Sequence, residues 1–331
     1  MDVIVKMSID LASTATLQRY SVSGETMGTR YSAVFFSTPG LLATVTDSIN
    51  ASLLAAVDQV DQQMSTWKAT SDLSRLNAAP PQQWLAVPRA LALVLQTALD
   101  INRQSDGAFD IGVGALVNSW GFGHVKPQLT AQRIGTVNQQ MVHATSETLE
   151  IDHANLQVRK LFDTALDLSG IAKGYGVDML ASCLDRLGID SYLVGIDGEM
   201  RARGLKPGRE PWAVALEKPL PGIREVMGVM ELCDAAIATS GDYRRFVDLA
   251  GERYGHTMHP LLGAPVRNRV AAVTVVASGC MLADAWATAL MVLGEEAGVA
   301  LAQRRGIDAL FVIHDGAGFK EISTLNLPFV Y

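Results

Sequence analysis

The feature that most constrains this chain is the way its strand-like segments cluster. Between residues 191 and 241, five short turn-bounded runs follow one another: SYLVGIDG, EMRARG, PWAVALE, REVMGVMEL and AAIATSG. They lead to VAAVTVVA at 270–277, whose β-branched content predicts a buried strand. Two helices are expected next, about Met281–Leu293 and Glu295–Arg304, and then the strands ALFVIH and FKEIST. Strands that gather instead of alternating with helices predict an α+β fold with mixed or largely antiparallel sheets and packed helices. A Rossmann or P-loop fold is not expected. No G-x-G-x-x-G follows a strand, and G-x-x-x-x-G-K-[ST] is absent.

The first half is more helical. RYSVSGETMGTRYSAVFF alternates around Gly24 and Gly28 and predicts a hairpin. Pro39 and Gly40 open a helical stretch from about Leu41 to Met64, which ends before the turn-rich TWKATSDLSRLNAAPP. A helix from near Pro88 to about Ser105 follows, and then a looped, glycine-rich DGAFDIGVGALVNSWGFG. Thr130–Met141 is expected to be a short polar helix. Strands near Thr148–Ile151 and Gln157–Phe162 flank a turn at Asp152–Asn155. A helix over about Gly170–Leu187 follows, with Ser169 placed to cap it.

At 331 residues, 49% of them hydrophobic and 18% charged, the chain can bury one large core or two intimately packed subdomains. We expect an N-terminal extension over 1–17 and one catalytic domain over 18–331. The net charge of −7 argues against a nucleic-acid partner, and leaves any nucleotide pyrophosphate dependent on local donors and a metal. Cys183, Cys233 and Cys280 form no C-x-x-C pair, so they are read as buried apolar residues, not as disulfides or zinc ligands. No apolar run of membrane-spanning length is expected. The N-terminal segment carries acids where a signal peptide has its apolar core. The expectation is a cytoplasmic protein as written, or a periplasmic one whose leader has been removed.

Three segments carry candidate chemistry. In LADAWATAL, Asp284 and Thr288 are four apart on a predicted helix and share a face. Carboxylate and hydroxyl are hard oxygen ligands of the kind magnesium or calcium prefers. The same pair also reads as a helix cap and a hydroxyl bonded back to a carbonyl one turn earlier. In DLSGIAKGYG, glycines permit close backbone approach, and a helix N-terminus offers N–H groups to an anion. Lys173 adds a cation in the first turn, where the helix dipole disfavours it. Tight packing of a glycine-rich helix on a sheet is the alternative. In TSGDYRRF and YGHTMHP, His256 follows a glycine and precedes a proline turn, where a side chain can face a cleft and act as general base; a satisfied structural histidine on a strand is the alternative.

Taken in order, GETMGTRY, MSTWKATSDLSRLN, DGAFDIGVGALVNSWGFG, DLSGIAKGYGVD, ATSGDYRRF and CMLADAWATALMVLG resemble the ApbE family, the FAD:protein FMN transferases. The likeness runs from about Gly24 to Gly294. It implies a T-fold-like architecture and transfer of FMN from FAD to a Thr or Ser hydroxyl of an acceptor flavoprotein, with AMP released. It implies that Met27 and Trp67 border FAD, that Ala108, Phe109, Asp110, Asp167 and Lys173 lie along it, and that Met258 adds an apolar contact. It implies Mg2+ held by Asp284, Thr288 and the carbonyl of Gly170, with Asp284 and His256 as catalytic residues and His256 activating the acceptor. Two alternatives use the same residues: a metal-dependent FAD pyrophosphatase giving FMN and AMP, and a non-catalytic FAD-binding protein.

Three positions depart from the family pattern. His259 stands where an aspartate is usual, Leu262 where a threonine is usual, and GIDGE puts Asp197 where a glycine is usual. These changes bear on turnover, metal choice or acceptor specificity more than on cofactor binding. His259 is itself a candidate ligand or second base.

Overall fold

The computed structural model describes residues 17–38, 46–125, 145–249, 251–316, 318–325 and 329–330. The helix expected over Thr130–Met141 and residues 1–16 of the expected extension lie outside these. So do the residues before Thr46 in the expected first helix.

Strands β1 (Gln18–Thr26) and β2 (Thr29–Ser37) form the expected hairpin, paired from Gln18↔Ser37 to Thr26↔Thr29. Its two loop residues, Met27 (φ 48°) and Gly28 (φ 71°), both take left-handed backbone, as a tight two-residue hairpin requires. Gly28 does so freely, whereas Met27 costs about 1–2 kcal/mol. Helix α1 (Thr46–Met64) buries Leu53, Val57, Val60 and Met64, one stripe at helical spacing. The turn-rich stretch after it holds a short helix, α2 (Asp72–Ala78). Ser71 Oγ accepts the Ser74 N–H at 3.0 Å, and Leu73 and Leu76 are buried. Strand β3 (Leu85–Ala86) precedes α3 (Arg89–Gln104), which begins after Pro88 as expected. The glycine-rich loop contains a 3-10 turn over Ile111–Val113 and α4 (Gly114–Ser119). Helix α5 (Thr145–Thr148), β4 (Leu149–Asp152) and β5 (Gln157–Lys160) follow, and β3, β5 and β4 make a three-stranded sheet.

Helix α6 spans Ala172–Arg186. After it come β6 (Tyr192–Ile196), β7 (Glu199–Arg203), β8 (Trp212–Glu217), β9 (Val226–Leu232) and β10 (Ala236–Gly241). Two small ribbons follow, β11 (Phe246–Leu249) with β12 (Glu252–Gly255) and β13 (Met258–His259) with β14 (Ala264–Pro265). The chain then forms β15 (Val270–Ala277), α7 (Cys280–Arg305), β16 (Asp308–Asp315), β17 (Gly318–Ser323) and β18 (Phe329–Val330). The two helices expected over 281–304 are joined end to end in α7, which kinks where Gly294 leaves helical geometry (φ 79°, ψ −172°).

The central sheet has eight strands in the order β1-β2-β6-β7-β10-β15-β16-β17. Every strand pairing among the described residues is antiparallel, on the side of the expected α+β class. Helices α6 and α7 pack on one face of this sheet, with α1 against α6. The sheet β18-β9-β8 covers part of the other. Strand β15 is therefore buried on both sides: Val273 and Val275 join the helical core, while Val276 joins Trp212 and Met230. That double burial is why VAAVTVVA is continuously apolar. Helix α7 is long and apolar enough to cross a bilayer by length and composition, but it is a core helix, with Ala283, Ala287, Leu290 and Met291 buried. Cys183 and Cys280 are buried as expected; Cys233 is exposed, because it lies in the turn between β9 and β10.

Candidate functional site

Two helices that start side by side build the site, and each supplies the carboxylate that caps the other. Asp178 on α6 accepts the N–H groups of Cys280 and Met281, both at 2.9 Å, at the start of α7. Asp284 on α7 accepts the Gly174 N–H at 2.9 Å, in the first turn of α6. Carboxylates are favoured there because first-turn N–H groups lack helical partners and carry the positive end of the dipole. The expected cap at Ser169 is not formed. Ile171 holds the cap position without a side-chain bond, and the cap arrives from Asp284 instead. A regular helix would give the Gly174 N–H to the carbonyl of Gly170; here that carbonyl is left free of it.

The close approach dictates the glycine spacing. A Cβ on Gly174 would lie 2.3 Å from the Cys280 carbonyl oxygen, and one on Gly170 would lie 3.0 Å from Thr288 Oγ1. Thr288 Oγ1 is also 3.1 Å from Ser240 Oγ, so the hydroxyl bonds across to β10. Asp284, Thr288 and the Gly170 turn therefore meet at one point, although 118 residues separate the two outer ones in sequence (288 − 170).

That point lies on a cavity of about 890 Å³, in the upper range for small-molecule sites. Every residue that the family resemblance assigns to FAD, metal or catalysis lines it. Met27 and Trp67 stand on its border, and Trp67 is 61% exposed. Ala108, Phe109, Asp110 and Asp167 line it together with Gly170, Lys173, Asp284 and Thr288. His256 and Met258 face in from the segment after β12. Asp110 has its carboxylate occupied by the protein: it accepts from Gly112 N, Thr145 N and Oγ1 and Asn102 Nδ2, and so shapes the wall. Asp167 Oδ1 accepts the Ser169 N–H at 2.8 Å and sets the turn before Gly170. His259, the departure from the family pattern, does not line the cavity. Its Nδ1 accepts the Leu262 N–H at 3.4 Å, and burial lowers its basicity.

Charge is concentrated at α6. The Lys173 ammonium pairs with Glu199, a residue only 3% exposed on β7. Burial works against that ammonium, but Glu199 and then Asp284 hold its pKa above the usual lysine range. Burial, and next the charge of Glu199, push Asp284 up to about 7; Lys173 and the Gly174 N–H pull the other way. Burial likewise raises Glu199, whose Oε2 is buried with no hydrogen-bond partner. Sequence reasoning singled out neither Glu199 nor Asp178. It also passed over Asp242, whose Oδ1 lies 3.1 Å from His256 Nδ1 and accepts the Thr257 N–H and hydroxyl at 3.2 and 2.7 Å.

The sequence profile of the ApbE family matches residues 27–311. The chain belongs to the ApbE family. A relative from Vibrio cholerae named FAD:protein FMN transferase is 38% identical over 318 residues, spanning 95% of this chain and 93% of its own. An Escherichia coli relative of the same name is 34% identical over 307 residues, spanning 90% and 85%. The solved flavin transferase ApbE from Vibrio cholerae superposes with a TM-score of 0.83 over 93% of this chain and 97% of its own, at 38% identity. The apo flavinyl transferase ApbE of Pseudomonas stutzeri gives 0.81, at 35% identity over 93% and 95%. These ApbE relatives are transferases, and so is this chain.

Proposed function

We propose that this protein transfers FMN from FAD to a threonine or serine hydroxyl of an acceptor flavoprotein, releasing AMP, in a Mg2+-dependent reaction. Residues 18–331 would act as one catalytic domain, since the central sheet takes strands from both ends of the chain. The observation that carries the reading is the meeting of Asp284, Thr288 and the Gly170 turn on a cavity that His256 also faces.

The fit to a dication follows from the donors. Among the described residues no group of three His, Cys, Asp or Glu is placed to hold a metal. The ion would take Asp284, the Thr288 hydroxyl, the Gly170 carbonyl and substrate phosphate oxygens. Magnesium is commonly held that way, by one or two carboxylates plus phosphate. Carboxylate, hydroxyl and carbonyl are all hard oxygen donors of the kind this ion takes, which supports the assignment. When bound, Mg2+ would neutralise the pyrophosphate and the charge developing at phosphorus.

The chain's own groups do the rest. The Met27–Gly28 turn, Phe109 and Met258 offer apolar contact to the flavin and adenine rings. Lys173, held by Glu199, places a positive charge beside the phosphates. His256 takes the proton from the acceptor hydroxyl. That oxygen bonds to the phosphorus on the FMN side, the P–O bond to the AMP phosphate breaks, and AMP leaves. Holding both reactants in line removes the need for a covalent enzyme intermediate.

Mass spectrometry of an acceptor flavoprotein incubated with enzyme, FAD and Mg2+ tests this reading. The expected outcome is covalent FMN on a Thr or Ser and an equal yield of AMP. Asp284→Ala should abolish the transfer, and His256→Ala should slow it roughly 10²–10⁴-fold while FAD binding persists. AMP released at the same rate without acceptor would identify a pyrophosphatase instead, and FAD left intact would identify a carrier.

A further inference from the structure

We infer that Asp242 is the positioning residue for His256, and that Gly255 exists to let it reach. The inference rests on His256 being the base. Asp242 follows β10, and His256 follows β12. The β11–β12 ribbon folds the chain back so that the two meet. His256 Nδ1 is fully buried, and its near neighbour is Asp242 Oδ1 at 3.1 Å. The imidazole side chain as a whole is 38% exposed, so its exposure comes from the rest of the ring, on the cavity side. Phe122 packs edge-on against it at 6.2 Å.

The contact is close but not collinear. Oδ1 is held by the Thr257 N–H and hydroxyl, and the ring nitrogen is left without an aligned partner. Hydrogen bonds of active-site bases commonly align only as substrate settles, and a carboxylate behind an imidazole fixes its tautomer and orientation. Thr257, adjacent to the histidine, thereby locks the carboxylate that orients it. Gly255 completes the arrangement. A Cβ there would lie 2.3 Å from Asp242 Cγ and 2.4 Å from its Cβ, so any larger residue drives the aspartate off the ring. The glycine before the histidine is thus a clearance for this carboxylate.

Asp242→Asn is the direct probe, because an amide oxygen still accepts from Thr257 while the charge behind the imidazole is lost. The expected result is a kcat for FMN transfer lower by roughly 10-fold to 10³-fold, bounded by the loss of His256 itself, with KM for FAD within about twofold of wild type. Gly255→Ala should reproduce that split. The deciding measurement is a cycle with His256→Gln. A residue that acts through His256 costs nothing further once the imidazole is gone, whereas a merely structural one costs the same in both backgrounds. A wild-type rate in Asp242→Asn, or losses that multiply, would overturn the inference while leaving His256 as base. A fully active His256→Gln would overturn the base assignment itself, and the positioning role with it.

Discussion

Asp284 is held above the usual carboxylate range because it is buried beside Glu199 with only Lys173 and one backbone N–H in compensation. A raised folded-state pKa in an acid stabilises the fold fully below the unfolded value, and that contribution is lost as pH climbs through the folded value. The metal-free protein should therefore lose stability between about pH 4 and about pH 7, the window set by the two states of this carboxyl. On the proposed function Mg2+ would bind the deprotonated form, so its stabilising increment should be larger at about pH 8 than at about pH 6. Calorimetric Tm with and without Mg2+ at both pH values checks this, and equal increments would remove Asp284 from the metal site. Gly170→Ala belongs to the same scale. Its methyl would meet Thr288 Oγ1 at 3.0 Å and Phe109 at 3.3 Å, so Mg2+ affinity by titration calorimetry should fall with little change in far-UV circular dichroism.

Asp178 should matter out of proportion to its distance from the cavity, because it holds the start of the helix that carries Asp284 and Thr288. Asp178→Ala removes two bonds to the first N–H groups of α7 and the ion pair with Arg201. It should cost about 0.5–2 kcal/mol by urea denaturation, the range of helix caps, and weaken Mg2+ binding as well. A stability loss with unchanged Mg2+ affinity would show that α7 is positioned by the core alone. At this scale the sequence was readable wherever the signal was local. The β1–β2 hairpin, α3, β15 and the shared face of Asp284 and Thr288 follow from period, turn residues and four-residue spacing. The Ser169 cap was misjudged because the true cap comes from a helix 110 residues away. Glu199, Asp178 and Asp242 were missed for a related reason: each acquires its role only from a partner brought near by tertiary folding. Asp242 alone left a trace, since Gly251 between FVDL and ERYG marks the ribbon that returns the chain to His256.

For the whole molecule, the site joins the two helices to the central sheet, so its ligands should stabilise the fold globally. FAD and Mg2+, each at roughly a hundred times its Kd, should each add about 2.7 kcal/mol to unfolding, a Tm gain of several degrees apiece. Asp284→Ala should forfeit the Mg2+ part of that gain and keep part of the FAD increment, a difference readable by thermal shift. The reciprocal caps carry a further consequence, for synthesis. The α6 turn is made well before residue 284, yet its first-turn N–H waits for that carboxylate. During translation the glycine-rich loop can exist only as an unfinished half, unable to grip a dinucleotide until the segment through Thr288 has emerged. A ribosome-bound fragment ending short of that residue should ignore FAD, so this chemistry begins only once the first turns of α7 have been made.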